Sequence, residues 1–113
     1  MTDTEAKFIS YFNIIAKEVF LNAEEKGFWD SPRNDGESIA LIHSELSEAL
    51  ESLRHGDPMS DKIPDFKGSE EELADVIIRI MDYTEGKGLH VAKALIAKMK
   101  YNKTRSYKHG KEF

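Results

Sequence analysis

Residues 43–52 read "HSELSEALES", which places Glu45 and Glu48 three positions apart and Glu51 three further on. Apolar residues alternate with these carboxylates at helical spacing, so the stretch predicts an amphipathic helix. Like charges at this spacing are neighbours on a helix and cost roughly a few tenths of a kcal/mol per pair. A bound cation would offset that cost, whereas an ordinary acidic surface would simply be solvated. Both interpretations remain open from this stretch alone.

The same helical spacing of apolar residues continues through most of the chain, and no stretch shows the alternation of a strand. Thr2, with Glu5 three residues later, has the pattern of a capping box at the start of the first helix. Loops containing glycine and proline separate the predicted helices. We expect four helices, over residues 2–26, 35–55, 69–85 and 89–103. The predicted fold is all-α and four-helix bundle-like, in one domain spanning residues 1–113.

The composition is that of a globular protein, with 40% hydrophobic and 33% charged residues in a chain of 113. No apolar run approaches the roughly 18 residues of a membrane span, so no membrane association is expected. The N-terminal residues "MTDTEAKF" lack the basic and apolar regions of a secretory signal. Cysteine is absent, which excludes disulfides and thiolate metal sites. We therefore expect a cytoplasmic protein.

Charge is distributed unevenly along the chain. Residues 90–113 carry a formal charge of +6, whereas residues 1–89 carry −11. An acidic body that holds a cation and a basic segment that meets an anion would together suit a metal-bound polyphosphate. Two solvated surfaces are the alternative. Because the whole chain is acidic and shows no recognised nucleic-acid motif, we expect no nucleic-acid partner.

A second carboxylate pair lies in "EEELADVI", residues 70–77, where Glu72 and Asp75 repeat the spacing of Glu45 and Glu48. Each pair borders, on the same side of its helix, an apolar stripe that we expect to face the core. If the two helices are antiparallel neighbours, the four carboxylates converge, and oxygen ligands without His or Cys favour Mg²⁺ or Mn²⁺. Alternatively, Glu72 is the capping-box partner of Ser69. The stripes are Ile39, Ile42, Leu46, Ala49, Leu50 and Leu53 on the second helix, and Leu73, Val76, Ile77 and Ile80 on the third.

The segments "ELSE" (45–48) and "EELAD" (71–75) resemble the ExxE and ExxD motifs of the MazG-like, all-α nucleoside triphosphate pyrophosphohydrolases. This superfamily includes dimeric dUTPases and dCTP pyrophosphatases. The resemblance extends to "EKGFWDSPRN" (25–34), "GDPMSDKIPDF" (56–66) and "AKMKYNKTRSYKHGK" (97–111). Two positions depart from it: Ser106 stands where a proline is common, and Arg79 stands where some members carry an aromatic residue.

The resemblance implies an enzyme that hydrolyses a nucleoside triphosphate to the monophosphate and pyrophosphate, as in the housecleaning of nucleotide pools. It also implies that Mg²⁺, with Mn²⁺ as a substitute, is the cofactor. The implied metal ligands and catalytic residues are Glu45, Glu48, Glu72 and Asp75.

Further candidates for substrate binding lie outside the two carboxylate motifs. Lys98, Asn102 and Arg105 recur at spacings of four and three on the last helix, where they would suit phosphate oxygens and the sugar. A solvated basic helix end is the alternative. Trp29, next to Phe28 in a loop, could stack on the base, although a loop tryptophan also commonly fills a core.

Apolar residues exceed one narrow stripe on each of the last two helices, which predicts burial on several sides and hence a partner surface. The residues concerned are Ile78, Met81, Val91, Leu95, Ile96 and Met99. The resemblance implies a homodimer or homotetramer with sites near the subunit interface. A competing hypothesis is a non-catalytic helical interaction protein whose acidic stripes are solvated surface.

Overall fold

The computed structural model describes residues 1–113 and is entirely helical apart from its loops. An isolated antiparallel bridge joins Met59 to Lys67 in the loop between the second and third helices, and no strand is present. No helix combines the length and the apolarity needed to cross a membrane. The predicted all-α fold with four helices is therefore confirmed. The helices are α1 (Asp3–Glu25), α2 (Asp35–Arg54), α3 (Gly68–Lys87) and α4 (Val91–Lys103), followed by a 3₁₀ turn at Tyr107–Gly110.

The cap predicted for α1 is present, and the one considered for α3 is not. Thr2 Oγ1 accepts a hydrogen bond from the Glu5 amide at 3.1 Å, and Glu5 accepts one from the Thr2 amide at 2.7 Å. At the start of α3, Glu70 rather than Glu72 accepts from the backbone, at the Lys67 amide. The interpretation of Glu72 as a capping residue is therefore wrong, because the helix begins one residue earlier than expected.

The helices pack around α3, which contacts α2 on one side and α1 on another, while α4 packs chiefly on α1. A small core of Ile9, Ala92 and Ile96, with Phe12 beside it, joins α1 to α4. Ala16 of α1 and Met81 of α3 are also buried. The result is an open all-α bundle in which α3 lies between α1 and α2.

The apolar stripes of α2 and α3 do not form the core of this chain. Ala49 is buried, but six of the other stripe residues are between 43% and 57% exposed. Ser38 and Glu45 are buried on α2 instead, so the packed side of this helix is partly polar. The expectation that the stripes are core within one subunit was therefore wrong. We call the exposed set the apolar face: Ile39, Leu46, Leu50, Leu53, Leu73 and Ile77.

The chain is more open than a monomeric protein of its size. Its accessible surface is 8558 Å², whereas a folded monomer of this mass exposes about 6,300 Å². Its radius of gyration is 16.5 Å, against about 13 Å for a compact domain of this length. Each chain thus exposes more than ~2,000 Å² of accessible surface beyond that of a folded monomer of the same mass.

Candidate functional site

Three predicted carboxylates meet where α2 packs on α3. Glu45 of α2 and Glu72 and Asp75 of α3 each offer an oxygen atom, and these atoms lie within 4.8 Å of one another. Glu48, one turn along α2 from Glu45, is exposed at the edge of the group, and its carboxylate helps to raise the pKa of Glu72. The two motifs, 27 residues apart in the sequence, therefore come together in space. We call Glu45, Glu72 and Asp75 the acidic cluster.

The acidic cluster holds oxygen atoms that nothing else in the chain satisfies. Glu45 is only 8% exposed, and its Oε1 accepts a hydrogen bond from Arg79 Nε at 2.9 Å. The second oxygen of Glu45, Oε2, and Oε2 of Glu72 are buried with no donor from another part of the chain. Buried carboxylate oxygens without donors are costly, so both atoms favour a proton held between the carboxyl groups or a cation.

The pKa values of the acidic cluster also reflect the unfavourable burial of its carboxylates. Burial, followed by the neighbouring carboxylates of Glu45 and Glu48, raises the pKa of Glu72 to about 8. Burial and the charge of Glu45 also raise the pKa of Asp75. Burial opposes ionisation of Glu45 as well, but hydrogen bonds from Arg79 and Glu72 outweigh it and hold its pKa below the usual value. Without a cation, the acidic cluster therefore keeps a proton on Glu72 at neutral pH.

Binding of Mg²⁺ to the acidic cluster is expected to release close to one proton at pH 7. The folded-state pKa of Glu72 is raised from 4.5 to about 8, so the metal-free chain loses stability as pH rises through that window. Mg²⁺ must displace the proton, and its affinity should therefore increase as pH rises towards 8. Calorimetric titrations in buffers of different ionisation enthalpy would measure the release. Identical heats in all buffers would contradict the expectation, and Glu72→Gln should abolish the buffer dependence.

A cleft of about 1010 Å³ opens beside the acidic cluster, between α1, α2, α3 and the loop before α2. Glu45 and Asp75 lie on its wall together with three cationic side chains, Arg33, Lys62 and Arg79. No pattern in the sequence singles out Lys62, which lies in the long loop before α3. A signal for Arg79 was present, because it follows Asp75 by one helical turn and therefore shares its face.

Trp29 is held in place by contacts with other side chains of the same chain. Its indole N–H donates to Asp82 Oδ1 at 2.8 Å, and the guanidinium of Arg33 lies 4.5 Å from the indole ring centroid. Arg33 also donates to Asp82 Oδ2 at 2.7 Å, so one carboxylate fixes both residues. This arrangement agrees with the alternative considered for Trp29 from the sequence, in which the indole packs against other residues of the chain. Phe28, which is 68% exposed and lines the cleft, is the aromatic residue that is free to meet a base.

The three candidates predicted on the last helix do not join the acidic cluster within this chain, and Arg105 lies beyond the end of α4 at Lys103. Lys98, Asn102 and Arg105 are absent from the cleft wall, because α4 packs chiefly on α1. The charged groups of Lys98 and Arg105 lie 4.6 and 5.7 Å from the Tyr101 ring centroid. Oδ1 of Asn102 is buried without a hydrogen-bond partner. Within one chain, therefore, these three residues do not line the cleft beside the acidic cluster.

Comparison with known proteins adds no family assignment to this geometry. No protein-family model, no curated protein and no solved structure matches the chain. The function must therefore be argued from the acidic cluster, the cleft and the motifs themselves.

Proposed function

We propose that the chain is a Mg²⁺-dependent nucleoside triphosphate pyrophosphohydrolase of the MazG-like type. The observation that carries the proposal is the acidic cluster. Two sequence motifs on separate helices supply three carboxylates within 4.8 Å of one another, and two of their buried oxygens lack donors. The charge of these groups requires compensation that the rest of the chain supplies only in part, through Arg79.

The donor set fits a hard divalent cation. It consists of carboxylate oxygens from Glu45, Glu72 and Asp75, with Glu48 at the edge, and includes no nitrogen or sulfur ligand. Such a set suits Mg²⁺, or Mn²⁺ in its place. When bound, the cation would supply a water of lowered pKa and neutralise charge on the phosphates.

The chain's own side chains have separate tasks in this proposal. Glu48 is exposed beside the acidic cluster. In this proposal its carboxylate orients the attacking water and accepts a proton from it. Lys62 and Arg79 line the adjoining cleft and suit phosphate oxygens. The α–β phosphoric anhydride bond is broken, so the products are a nucleoside monophosphate and pyrophosphate.

The competing hypothesis of a non-catalytic interaction protein accounts for the apolar face but not for the acidic cluster. Solvated acidic stripes would leave their carboxylates in water, whereas Glu45 is 8% exposed. Arg79 pairs with one oxygen of Glu45, but Oε2 is buried without a donor, and burial of an unsatisfied carboxylate oxygen is unfavourable, so a purely solvating role gives no reason for it.

Release of pyrophosphate from a panel of ribo- and deoxyribonucleoside triphosphates, with Mg²⁺ present, tests the proposed reaction. We expect pyrophosphate and the monophosphate in equal amounts, and no activity once the metal is chelated. Release of inorganic phosphate instead would indicate cleavage at a different bond. No turnover of any nucleotide would contradict the proposal and favour the interaction protein.

We also propose that the chain works as a homodimer or homotetramer of itself. The apolar face and the excess surface of more than ~2,000 Å² per chain match the area that obligate homodimers bury, about 2,000–5,000 Å² in total. A closed symmetric assembly would cover this face on every subunit. It would also allow Lys98, Asn102 and Arg105 of one subunit to reach the cleft of another.

Light scattering at micromolar concentration is expected to report a mass of at least twice the 12.9 kDa of the single chain. The reason is the apolar face, since exposed apolar patches of this extent are uncommon on monomers. A stable and active species of 12.9 kDa would contradict the assembly. It would also remove the α4 residues from the list of substrate contacts.

A further inference from the structure

Arg79 stands between the acidic cluster and the cleft. Its Nε donates to Glu45 Oε1 at 2.9 Å, and the side chain also lines the cleft. We propose that Arg79 is an exchangeable counter-ion, which pairs with Glu45 in the metal-free chain and binds a phosphate of the substrate once a divalent cation takes its place. This inference rests on the proposed function and deepens it by assigning one phosphate-binding residue.

Arg79 occupies one of the two Glu45 oxygen atoms to which a cation could bind. The acidic cluster has two buried oxygens without donors, and Arg79 holds a third, Glu45 Oε1. A guanidinium on this oxygen lowers the charge repulsion of the metal-free cluster, but it also competes with any metal for the same carboxylate. A metal that coordinates both oxygens of Glu45 must displace Arg79, and one that coordinates Oε2 alone draws charge from the same carboxylate and so weakens the ion pair.

The side chain of Arg79 is able to leave Glu45 without unpacking the fold. It is 37% exposed, against 11% for the side chain of Glu45. Only Nε donates to the rest of the chain, so the two terminal NH₂ groups are available to an incoming ligand. A guanidinium with two such groups matches the geometry of a phosphate, which it can bind through two parallel hydrogen bonds.

The other two cations of the cleft are held differently. Arg33 is paired with Asp82 at 2.7 Å, and its side chain is only 17% exposed. Lys62 lines the cleft but forms no ion pair with any carboxylate of the acidic cluster. Arg79 is thus the cation whose partner is both a candidate metal ligand and a neighbour of the substrate space. Its release would make the cleft wall more positive only after the metal is bound.

The exchange predicts opposite effects of one substitution on two ligands. For Arg79→Gln, the affinity for Mg²⁺ alone should rise about tenfold, which corresponds to ~1.4 kcal/mol and lies near the range of a charge-assisted hydrogen bond. In saturating Mg²⁺, the affinity for an α,β-imido nucleoside triphosphate should fall about tenfold or more. Isothermal titration calorimetry at a fixed pH measures both, and circular dichroism checks that the variant remains helical.

Lys62→Gln is the matched control, because it removes the same charge from the same cleft without breaking an ion pair to Glu45. It should change the affinity for Mg²⁺ by no more than about twofold, as expected for a screened charge. A second variant, Arg79→Lys, keeps the charge but has no guanidinium fork, and should recover only part of the nucleotide affinity.

The outcomes separate this inference from the function on which it rests. Equal tightening of Mg²⁺ by Arg79→Gln and Lys62→Gln would overturn the exchange, because the effect would then be general electrostatics. Weaker Mg²⁺ binding by Arg79→Gln would also overturn it, since Arg79 would then support the metal ligands. If the unsubstituted chain binds no Mg²⁺, the proposed function fails as well. If it binds Mg²⁺ and Arg79→Gln leaves both affinities unchanged, only the exchange fails.

Discussion

Replacing Asp75 with asparagine is expected to abolish pyrophosphate release while raising the thermal stability of the metal-free chain. Asparagine keeps the shape of the side chain but removes one negative charge from the acidic cluster. Loss of residues that merely orient metal ligands costs about 10–100-fold, so loss of a ligand charge should lower kcat by more than about 100-fold. A coupled assay of pyrophosphate over a range of Mg²⁺ concentrations would measure the change.

The stability effect has the opposite sign, for an electrostatic reason. Burial and the charge of Glu45 raise the pKa of Asp75, so the ionised form is disfavoured in the folded chain. A carboxyl whose folded-state pKa lies above its unfolded value of 3.8 loses stability as pH rises through that interval. Asparagine does not titrate and avoids this loss at neutral pH. Thermal unfolding with a chelator present should therefore show a higher Tm than that of the unsubstituted chain.

Glu51→Gln on α2 is the control for the Asp75 substitution. It makes the same change of charge on a side chain that is 60% exposed and contacts only His55, an exposed pair that contributes little to stability. Turnover and Tm should both stay near those of the unsubstituted chain. Full turnover by Asp75→Asn in Mg²⁺ would remove Asp75 from the proposed metal ligands, whatever its effect on stability.

The sequence predicted the local elements of this fold better than their packing. The Thr2 and Glu5 pattern located the start of α1, because both partners of that cap are close in sequence. The start of α3 was misjudged, because a residue twelve positions away caps it. Asp57 accepts hydrogen bonds from the amide and the hydroxyl of Ser69 at 2.8 and 2.6 Å. A contact across a loop leaves no periodic signal in the sequence.

The meeting of the two acidic motifs was predictable, whereas the burial of their surroundings was not. Spacing alone placed Glu45 and Glu72 on matching sides of their helices, and the structure brings them together. The same reasoning assigned the apolar stripes to the core of one chain, where most of them are exposed. Periodicity identifies the apolar side of a helix but not which molecule covers it. The cleft cations come from two loops and from a helix face, and only the tertiary structure defines the neighbours of these segments.

The end of α3 illustrates how a distant contact overrides local preference. The sequence predicted that the third helix ends at residue 85, but α3 continues through Gly86 to Lys87, and Gly88 ends it with a left-handed conformation of φ 70°. The absence of a side chain at Gly86 instead leaves room for the indole of Trp29. A Cβ atom built there would lie 2.3 Å from Cη2 of Trp29, so the indole occupies the space that any other residue would fill.

Gly86→Ala is therefore expected to destabilise the protein, although the same change inside an ordinary helix is stabilising by about 1 kcal/mol. The indole is not free to move aside, because Asp82 accepts its N–H at 2.8 Å and Arg33 lies against its ring. Overpacking of this kind costs about 1–3 kcal/mol, and strain on the hydrogen bond adds to it. We expect a net loss of about 2 kcal/mol in the free energy of unfolding, measured by urea denaturation. Protein concentration must be kept constant, because the proposed assembly would contribute to stability.

A double-mutant cycle with Trp29→Ala distinguishes the steric clash from any effect on the helix itself. Removal of the indole takes away the three atoms nearest to a Cβ at position 86, so alanine there should recover its usual helical advantage over glycine. The effect of Gly86→Ala should thus change sign, from destabilising in the natural background to stabilising by about 1 kcal/mol in the Trp29→Ala background. The same loss in both backgrounds would show that Trp29 is not the cause. In that case the indole would move aside readily. Its hydrogen bond to Asp82 would then not be what holds the loop before α2 against α3.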